Sequence, residues 1–488
     1  SCDISIGFNQ LNKRMENEYY LSRFAESPYN GIFDTLRSNQ SIYEQKIQSL
    51  YLAAQLGFKD YLFLDFLGRK EKGENLKNNE SSFFSPSAGV SLILTDAFNI
   101  NSNILNYWKL RASYTKSIIR KGLQHILPIS TAENKDIFIE SWEMGSKVIL
   151  LKNRLSFDIT YYKSIPTNLA IHLGVNSNSG YSTFVKYDGK IENEGMEISL
   201  NLSPISSPKG FNWDINANYS HNYSKVVELT PDVESLAIPS DIISNRIEIR
   251  SGLPYGNIVG YAYRKNSDGQ RIVNKNGSYE RESKPTILGN TNPDWIGGLN
   301  NTLSYKGFSL NFLIDFVQGG ELSSTTKYQM TALGTAKFTE EGRRTQDTDD
   351  DGNQLPYVGV LPGVVEIKDS EGNVVGYSPN TNAVSGQDYW AQRAWNNIGE
   401  EFILDASYIM LREIMLSYNF QPSVLKRTPF KYLTINLFGR NLWYIKEQME
   451  GLGISPESAP NTSAWAQGLE VFSLPPTRTF GASINVSF

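Results

Sequence analysis

Apolar and polar residues alternate one by one along many stretches of this chain. In the final stretch, 479–488, one face of an extended strand carries apolar side chains, namely Phe480, Ala482, Ile484, Val486 and Phe488. The other face carries small or polar residues, namely Thr479, Gly481, Ser483, Asn485 and Ser487. A period of two residues predicts a β-strand that has one apolar and one polar face.

The same alternation recurs along most of the chain. It is found in 50–58, 62–66, 108–115, 142–150, 155–161, 195–202, 211–220, 308–316, 414–420 and 433–437. The period of two, rather than 3.6, predicts an all-β protein.

The predicted strands are joined alternately by short turns and by long polar segments. Short turns are predicted near 59–60, 152–153, 203–210, 306–307 and 421–430. The long segments are 11–42, 68–84, 116–136, 163–190, 221–294, 318–404 and 441–475. Short turns on one side and long loops on the other are typical of bacterial transmembrane β-barrels. A soluble β-sandwich also alternates, but it buries its apolar faces against a second sheet and rarely needs such uneven loops.

These segments predict a transmembrane antiparallel β-barrel with about fourteen strands in this chain. Even-numbered barrels of that size can close alone, so the pattern leaves open whether the barrel is complete.

Composition agrees with a barrel that has a wet interior. The 488 residues are 40% hydrophobic and 12% aromatic, with 27 Tyr and 24 Phe, as aromatic girdles at the membrane surfaces require. The mean hydropathy is −0.36, and no run approaches the roughly 18 apolar residues of a membrane helix. The net charge of −5 does not point to nucleic acid as a partner.

Few residues of the usual catalytic and metal-binding types are present. The chain has a single cysteine, Cys2, which excludes a disulfide framework within the chain. It has only 3 His, which argues against a histidine-based zinc or catalytic centre. The amino-terminal residues lack the charged and apolar regions of a signal peptide. We therefore expect the chain to be part of something longer, and Cys2 not to be a lipidation site.

Several stretches resemble the SusC/RagA family of TonB-dependent outer-membrane transporters. N-P-D-W-I-G-G-L-N-N at 292–301, followed by 304–308, is similar to a hairpin signature of that family. Further stretches similar to that family occur, in the same order as in its members, at 108–114, 189–197, 405–418, 439–442 and 475–481.

The resemblance implies a protein of the bacterial outer membrane with a barrel of about 22 strands and a plug inside it. This chain would supply roughly the last fourteen strands, so residues 1–488 are expected to be the carboxy-terminal part of the barrel with its long extracellular loops. The plug and the amino-terminal domains would be absent from it. The resemblance also implies that the last strand, ending at Phe488, is presented to the machinery that assembles barrels.

The resemblance further implies partners for the intact protein. These are a SusD-like surface lipoprotein that acts as a lid, TonB acting through the missing amino-terminal part, outer-membrane lipid, and a dimer of transporter–lid pairs. The cargo would be an oligosaccharide or an oligopeptide.

Acidic side chains cluster near one strand start. Glu192, Glu194 and Glu197 could in principle do acid–base chemistry, but alternating carboxylates commonly line a wet rim or lumen. No nucleophile elbow, phosphate-binding loop or zinc-protease motif accompanies them. We therefore expect that the protein is not an enzyme.

A second acidic stretch, D-T-D-D-D-G-N at 347–353, is the best metal candidate. Asp347, Asp349 and Asp351, with the following Gly352, match the opening of a calcium loop. The twelfth position is Val358 rather than Glu, which excludes an EF-hand and leaves a solvated acidic loop as the alternative. The stretch 369–373 is predicted to be a hairpin turn.

Aromatic and charged residues in the loop 318–404 are candidate contacts to a ligand or to the lid: Tyr377, Asp388, Tyr389, Trp390, Arg393 and Trp395. Aromatic faces beside carboxylates and amides suit sugars and peptides alike. The alternative is that they pack the loop against itself, since a loop of this length needs a small core. Tyr255, Tyr261, Tyr263 and Tyr279 in 221–294 are open to the same two interpretations.

The leading functional prediction is energy-dependent import of a large nutrient. A siderophore or vitamin receptor of the wider TonB-dependent class is one alternative, and a passive porin or adhesion barrel is another. An outer-membrane hydrolase is disfavoured, because no nucleophile–base pair is visible.

Overall fold

The computed structural model of the chain describes residues 1–23, 34–75, 81–119, 129–131, 136–174, 183–208, 210–231, 233–238, 245–340, 358–449, 451–459 and 467–488. The chain divides into two compact units. Unit 1 comprises Ser1–Asn153 and Asp158–Glu194, and unit 2 comprises Arg154–Phe157 and Gly195–Phe488.

Unit 1 consists almost wholly of strands. They are β1 (Cys2–Arg23), β2 (Asp34–Phe58), β3 (Leu62–Asn75), β4 (Ser81–Ile93), β5 (Leu105–Ile119), β6 (Ile129–Thr131), β7 (Ile137–Leu150), β8 (Leu155–Thr167), β9 (Leu169–Gly174) and β10 (Thr183–Ile205). Strand β8 begins in unit 2, and β10 ends there. A short helix, α1 (Leu94–Ala97), lies between β4 and β5.

The long strands of unit 1 form a meander. Strands β1, β2, β3, β4, β5, β7, β8 and β10 are neighbours in sequence order, and the pairs from β1 to β7 are antiparallel. Strand β6 pairs in parallel with β10, and β9 pairs with it antiparallel.

The β1–β2 hairpin is much longer than predicted. Its ladder runs from Cys2 opposite Leu56 to Arg23 opposite Asp34, so the prediction of a long loop over 11–42 is wrong for most of that range. The polar sequence in this range does not alternate with apolar residues. A β-ladder can still form there, because its hydrogen bonds join backbone groups and do not depend on an apolar pattern.

Unit 2 contains the remaining strands: β11 (Asn212–Glu228), β12 (Ser235–Ile238), β13 (Arg246–Arg250), β14 (Asn257–Gly260), β15 (Thr286–Asn290), β16 (Pro293–Tyr305), β17 (Phe308–Gly319), β18 (Glu321–Ser324), β19 (Val358–Val360), β20 (Val364–Lys368), β21 (Val374–Pro379), β22 (Ala383–Ser385), β23 (Ile403–Asp405), β24 (Tyr408–Asn419), β25 (Tyr432–Glu447), β26 (Leu469–Glu470) and β27 (Thr479–Ser487). Its helices are α2 (Thr325–Leu333), α3 (Gly386–Trp395) and α4 (Pro422–Leu425), with 3-10 turns at Lys337–Glu340 and Gly399–Phe402.

The long strands of unit 2 also form a meander. After the end of β10 the order is β11, β16, β17, β24, β25 and β27, and the pairs from β11 to β27 are antiparallel. Among the described residues, the long strands of the two meanders number fourteen, as the sequence predicts.

The connecting segments of unit 2 fold into smaller sheets. These are β12–β13–β14–β15, β23–β18–β26, β19–β22 and β20–β21. The β20–β21 hairpin turns at 369–373, where the Asp369 carboxylate accepts hydrogen bonds from the backbone N–H groups of Glu371 and Asn373. The prediction of a hairpin turn at this stretch is confirmed.

The predicted tight turns are confirmed by their backbone angles. Lys306 and Gly307 have φ of 47° and 91° and join the paired residues Tyr305 and Phe308, as in a two-residue type I′ hairpin. A Cβ atom on Gly307 would lie 2.7 Å from the carbonyl oxygen of Asn419, so the turn requires glycine there. Lys59 and Asp60 also have positive φ.

The apolar faces of the long strands are exposed. In β27 and just after it, Phe480 is 75%, Ile484 64% and Phe488 71% exposed. A soluble sandwich would bury these side chains, whereas contiguous apolar surface of this kind requires an apolar environment such as lipid.

The buried core lies instead among the connecting segments of unit 2. Tyr263, Val273, Tyr279, Leu361 and Ile398 form one buried cluster. Leu322, Leu404, Met449 and Ile454 form another. Among the described residues, the helices are all too short or too polar to cross a bilayer.

Candidate functional site

A cavity of about 640 Å³ lies on the polar side of the unit 2 strands. We call it the polar-face pocket. Strands β10, β11, β16, β17 and β24 and one connecting segment contribute its lining: Glu197, Ile198, Ser199, Asn218, Tyr219, Ser220, Ile296, Gly297, Gly298, Leu313, Asp315, Phe316, Val317, Tyr408, Arg412 and Glu457. This volume lies within the range of small-molecule binding sites.

Strand register explains how the pocket forms. Asn218 of β11 lies opposite Gly298 of β16, which in turn lies opposite Asp315 of β17. Side chains directly opposite on neighbouring strands share a face of the sheet. A Cβ atom on Gly298 would come within 2.8 Å of the Asn218 amide oxygen, so the glycine leaves open the space between Asn218 and Asp315.

Arg412 occupies a β-bulge in β24. On β17, Leu313 pairs with Glu413 and Ile314 with Leu411, so Arg412 has no opposite residue there. The ladder to β25 also shifts between Leu411 and Glu413. A bulge redirects the side chain of its extra residue.

The Arg412 guanidinium joins barrel strands to a loop. Its Nε donates to Asp315 at 2.5 Å, and its Nη2 donates to Glu457 at 2.6 Å. Its Nη1 donates to Asn441 and to Glu457. The guanidinium therefore has a carboxylate on each side, in the fork geometry that favours arginine over lysine.

Glu457 belongs to the described loop segment 451–459, and it also accepts a hydrogen bond from the Tyr408 hydroxyl at 2.9 Å. Burial acts to raise the pKa of Glu457, but the hydrogen bonds from Arg412 and Tyr408 outweigh it and hold that pKa below its ordinary value. Nearby, the hydroxyls of Tyr444 and Ser455 lie 3.0 Å apart, and Ile454 is buried. The loop is thus fixed to the strands by polar and apolar contacts together.

Three of the predicted loop residues meet on helix α3. The Arg393 guanidinium lies 4.5 Å from the Trp390 ring centroid and 5.1 Å from that of Tyr389. Its Nη1 lies 3.3 Å from a carboxylate oxygen of Glu401. We call Tyr389, Trp390, Arg393 and Glu401 the α3 cluster.

The α3 cluster continues into the other tyrosine-rich segment. The Tyr263 hydroxyl donates to Glu401 at 2.5 Å, and Tyr263 packs edge-on against Tyr279 at 5.0 Å. Burial, followed by the charge of Glu401, raises the pKa of Tyr263. The Lys327 ammonium donates to the Glu401 carbonyl oxygen, and its burial lowers its pKa. These contacts join 221–294 to 318–404 through a shared core.

The other predicted loop residues lie elsewhere. Asp388 is in the first turn of α3. Its backbone N–H donates to the hydroxyl of the N-cap residue Ser385, and its carboxylate accepts a hydrogen bond from that hydroxyl. Tyr377 lies in β21, and Trp395 ends α3 with more than half of its surface exposed. In the tyrosine-rich segment, Tyr261 stacks under the Arg281 guanidinium at 3.9 Å.

The predicted calcium ligands Asp347, Asp349 and Asp351 lie outside the described residues. Within the ranges that the structure describes, His, Cys, Asp and Glu residues form no group of three suited to a metal ion. Phe488 follows β27, with its ring 5.3 Å from that of Phe430.

The glutamates of β10 do not form one carboxylate cluster. Glu192 pairs with the Lys163 ammonium at 2.6 Å, and Glu194 accepts a hydrogen bond from the Tyr161 hydroxyl. Glu197 lines the polar-face pocket. Residues an odd number of positions apart in a strand point to opposite faces, which separates Glu197 from the other two.

The sequence alone does not mark Asp315, Arg412 and Glu457 as site residues. Arg412 lies within the stretch 405–418 that carries the family resemblance, but a period-2 pattern does not reveal a bulge. Glu457 is far from both in sequence, and no local pattern marks it as their partner.

Comparison with known proteins gives a consistent picture. The family described as TonB dependent receptor-like, beta-barrel matches residues 3–313. The chain is 24% identical to TonB-dependent receptor P3 of Formosa agariphila, over 93% of this chain and 47% of that protein. It is 26% identical to TonB-dependent receptor SusC of Bacteroides thetaiotaomicron, over 35% of this chain and 18% of SusC.

Among solved structures, the RagAB peptide transporter has a similar fold. The TM-score is 0.70 at 17% identity, and the match covers 100% of this chain and 53% of that one. The chain thus spans about half the length of the receptor and of the structure that it matches over nearly its whole length.

Proposed function

Because the chain belongs to the TonB-dependent receptor-like β-barrel family, we propose that it forms part of the wall of an importer that takes up a large nutrient. The predicted family resemblance, barrel fold and outer-membrane location are confirmed by the family match and the named relatives. The nutrient, the energy source and the partners are part of the proposal.

The observation that carries the proposal is the contrast between the two faces of the unit 2 strands. One face exposes residues such as Ile484 and Phe480 to an apolar environment. The other carries the polar-face pocket. A wall with a lipid side and a polar, cavity-bearing side is what uptake of a hydrophilic solute through a membrane requires.

We infer that the cargo is an oligosaccharide or an oligopeptide. The likeness in fold to a protein described as a peptide transporter supports the peptide. The sequence similarity to SusC supports an importer of the SusC/RagA branch of TonB-dependent receptors.

We further propose that uptake uses TonB and a SusD-like surface lipoprotein as a lid, arranged as a dimer of transporter–lid pairs. The connecting segments of unit 2 have their own buried core, which would make them a firm base for a lid. We propose no catalytic role, because import breaks no covalent bond and two of the three candidate glutamates are held by Lys163 and Tyr161.

The test is growth of a strain that lacks the gene for the full-length protein. The strain should lose growth on a mixture of oligopeptides or of oligosaccharides as sole nutrient, while it keeps growth on the corresponding amino acids or monosaccharides. Complementation with the full-length gene should restore growth. Equal growth with and without the gene on every polymer tested would contradict import of a large nutrient.

A further inference from the structure

The apolar face of β2 and β3 in unit 1 ends at a pair of lysines. On β2 this face is apolar over 50–58, about the 9–11 residues with which a tilted strand crosses a bilayer. On β3 the same face begins at Leu62, opposite Phe58, and reaches Lys70, opposite Leu50. Lys70 therefore lies where the apolar band ends, and Lys72 follows it on the same face.

The lysines lie at the extracellular end of the band. The other end is closed by the short turn at Lys59 and Asp60, and short turns of bacterial barrels face the periplasm. In a bilayer, the level of Lys70 and Lys72 is that of the lipid headgroups of the outer leaflet.

The surroundings of Lys70 carry no compensating charge. It lies opposite Leu50 on β2 and Phe84 on β4, both exposed and apolar. Its diagonal neighbours on the two strands are also uncharged, namely Gln48, Leu52, Ser82 and Pro86. By contrast, the charged residues on the other face of β3, Arg69 and Glu71, form an ion pair with each other.

Lys72 adds a second positive charge beside Lys70. It lies opposite Gln48 on β2 and Ser82 on β4, which carry hydrogen-bonding but uncharged side chains. Two ammonium groups on one face of a strand repel each other, and an anion between them removes that repulsion. The next lysine on this face, Lys46, lies opposite Glu74, so we confine the site to Lys70 and Lys72.

Other lysines on the apolar face of unit 1 are neutralised within the protein. Lys116 pairs with Glu140, and Lys163 pairs with Glu192, each at 2.6 Å. Exposed rings lie two positions away on the same face: Trp142 beside Glu140, and Tyr161 beside Lys163. These pairs lie beside the same apolar surface, so proximity to lipid does not by itself leave a lysine without a carboxylate.

We propose that Lys70 and Lys72 bind the phosphate group of an outer-leaflet lipid, with Gln48 and Ser82 as further hydrogen-bond donors. The ammonium group of lysine is a common phosphate ligand, and a long lysine stem can lie along apolar surface while its charge reaches the headgroups. The acyl chains of the same lipid would contact the exposed Leu50 and Phe84. This site is separate from import and does not depend on the cargo.

The experiment measures which lipid the purified full-length protein retains. The protein is placed in mixed micelles that hold equal amounts of lipid A, an acylated glucosamine disaccharide with phosphate, and of the same disaccharide without phosphate. Native mass spectrometry then counts the two kinds of bound lipid. Because each lysine near a charged lipid surface contributes about fivefold, we expect the phosphorylated lipid to exceed the other by at least that factor.

Two double variants make the test specific. Lys70→Gln with Lys72→Gln should bring the ratio of the two lipids close to one. Lys116→Gln with Lys163→Gln removes the same amount of charge from the same face, at lysines that already have carboxylate partners, and it should keep the ratio of the unaltered protein. If the first variant does not fold, the unaltered protein still decides the matter, because equal binding of the two lipids overturns the site.

A third arm distinguishes a lipid from free phosphate. Inorganic phosphate at millimolar concentration should leave the bound lipid in place, because the acyl chains add contacts that the free ion lacks. Displacement of the lipid by inorganic phosphate overturns the lipid assignment. A ratio that the two double variants change alike, or that neither changes, overturns the location at Lys70 and Lys72, and each of these results leaves import standing.

Discussion

Ile484 and Ser483 are neighbours in β27 but meet different surroundings. Ile484 is 64% exposed on the apolar face, whereas the Ser483 hydroxyl accepts a hydrogen bond from the Asn436 side chain on the polar face. The difference follows from the period of two in a strand, since one step along the chain reverses the side-chain direction.

This gives a prediction for the full-length protein folded in lipid. Ile484→Arg should destabilise it by about 2–4 kcal/mol if the site lies near the bilayer midplane, because a charge enters the hydrocarbon. Ser483→Arg should cost much less. Urea titration of the folded fraction measures both, and equal costs on the two faces would contradict the lipid-facing assignment.

Arg393 gives a second prediction at the scale of single residues. Its guanidinium stacks near Tyr389 and Trp390 and pairs with Glu401, so Arg393→Lys keeps the charge but loses the planar stacking. We expect a loss of about 1 kcal/mol in the local stability of α3, measured by hydrogen exchange of its backbone amides. Trp395→Ala, at an exposed position of the same helix, is the control and should stay within about 0.5 kcal/mol. A larger effect of the control would contradict the α3 cluster.

At the scale of elements, the loop segment 451–459 is held to β24 by a group that titrates. The pKa of Glu457 lies below its ordinary value because Arg412 and Tyr408 bond its ionised form, despite the opposing effect of burial. A depressed carboxyl pKa contributes stability that is present above the unfolded-state pKa, near 4.5, and lost as the pH falls through the folded-state pKa.

We therefore predict that acidification below about pH 4.5 lowers the protection factors of the backbone amides in 451–459, measured by hydrogen exchange and corrected for the intrinsic pH dependence of exchange. In the Glu457→Gln variant the protection factors of this segment should already be lower at neutral pH, and they should change little on acidification. Glu413→Gln is a matched control, since Glu413 pairs with Arg440 of β25 instead of with the loop. Equal pH responses of the unaltered protein and of Glu457→Gln would contradict the role of this contact.

The elements also show what the sequence can and cannot predict. Local sequence patterns predict strands β16 and β27 and the turn at Lys306–Gly307. The alternation of faces and the positive φ angles depend only on neighbouring residues. The meeting of Asp315, Arg412 and Glu457 depends on a bulge and on a loop that returns from far along the chain, which no local pattern encodes. The same holds for Glu401, whose link to Tyr263 spans 138 residues.

At the scale of the whole molecule, we propose a role in barrel assembly for the last strand. Phe488 lies at the end of β27 with most of its surface exposed, and the Ser487 carbonyl accepts a bond from Lys431. We predict that deletion of Phe488 from the full-length protein lowers the amount of folded, heat-modifiable barrel, while uptake per folded molecule stays near normal. A normal amount of folded barrel with reduced uptake per molecule would instead assign Phe488 to transport.

We propose that this chain is part of the wall of an energised importer, so that uptake through the full-length protein depends on TonB. The measurement is uptake of a fluorescent oligopeptide by cells that carry the full-length protein, with and without depletion of TonB. We expect uptake to fall to the level of the receptor-deletion strain when TonB is depleted, although the amount of folded receptor is unchanged. Receptor-dependent uptake that continues unchanged without TonB would contradict it and would point to a passive pore.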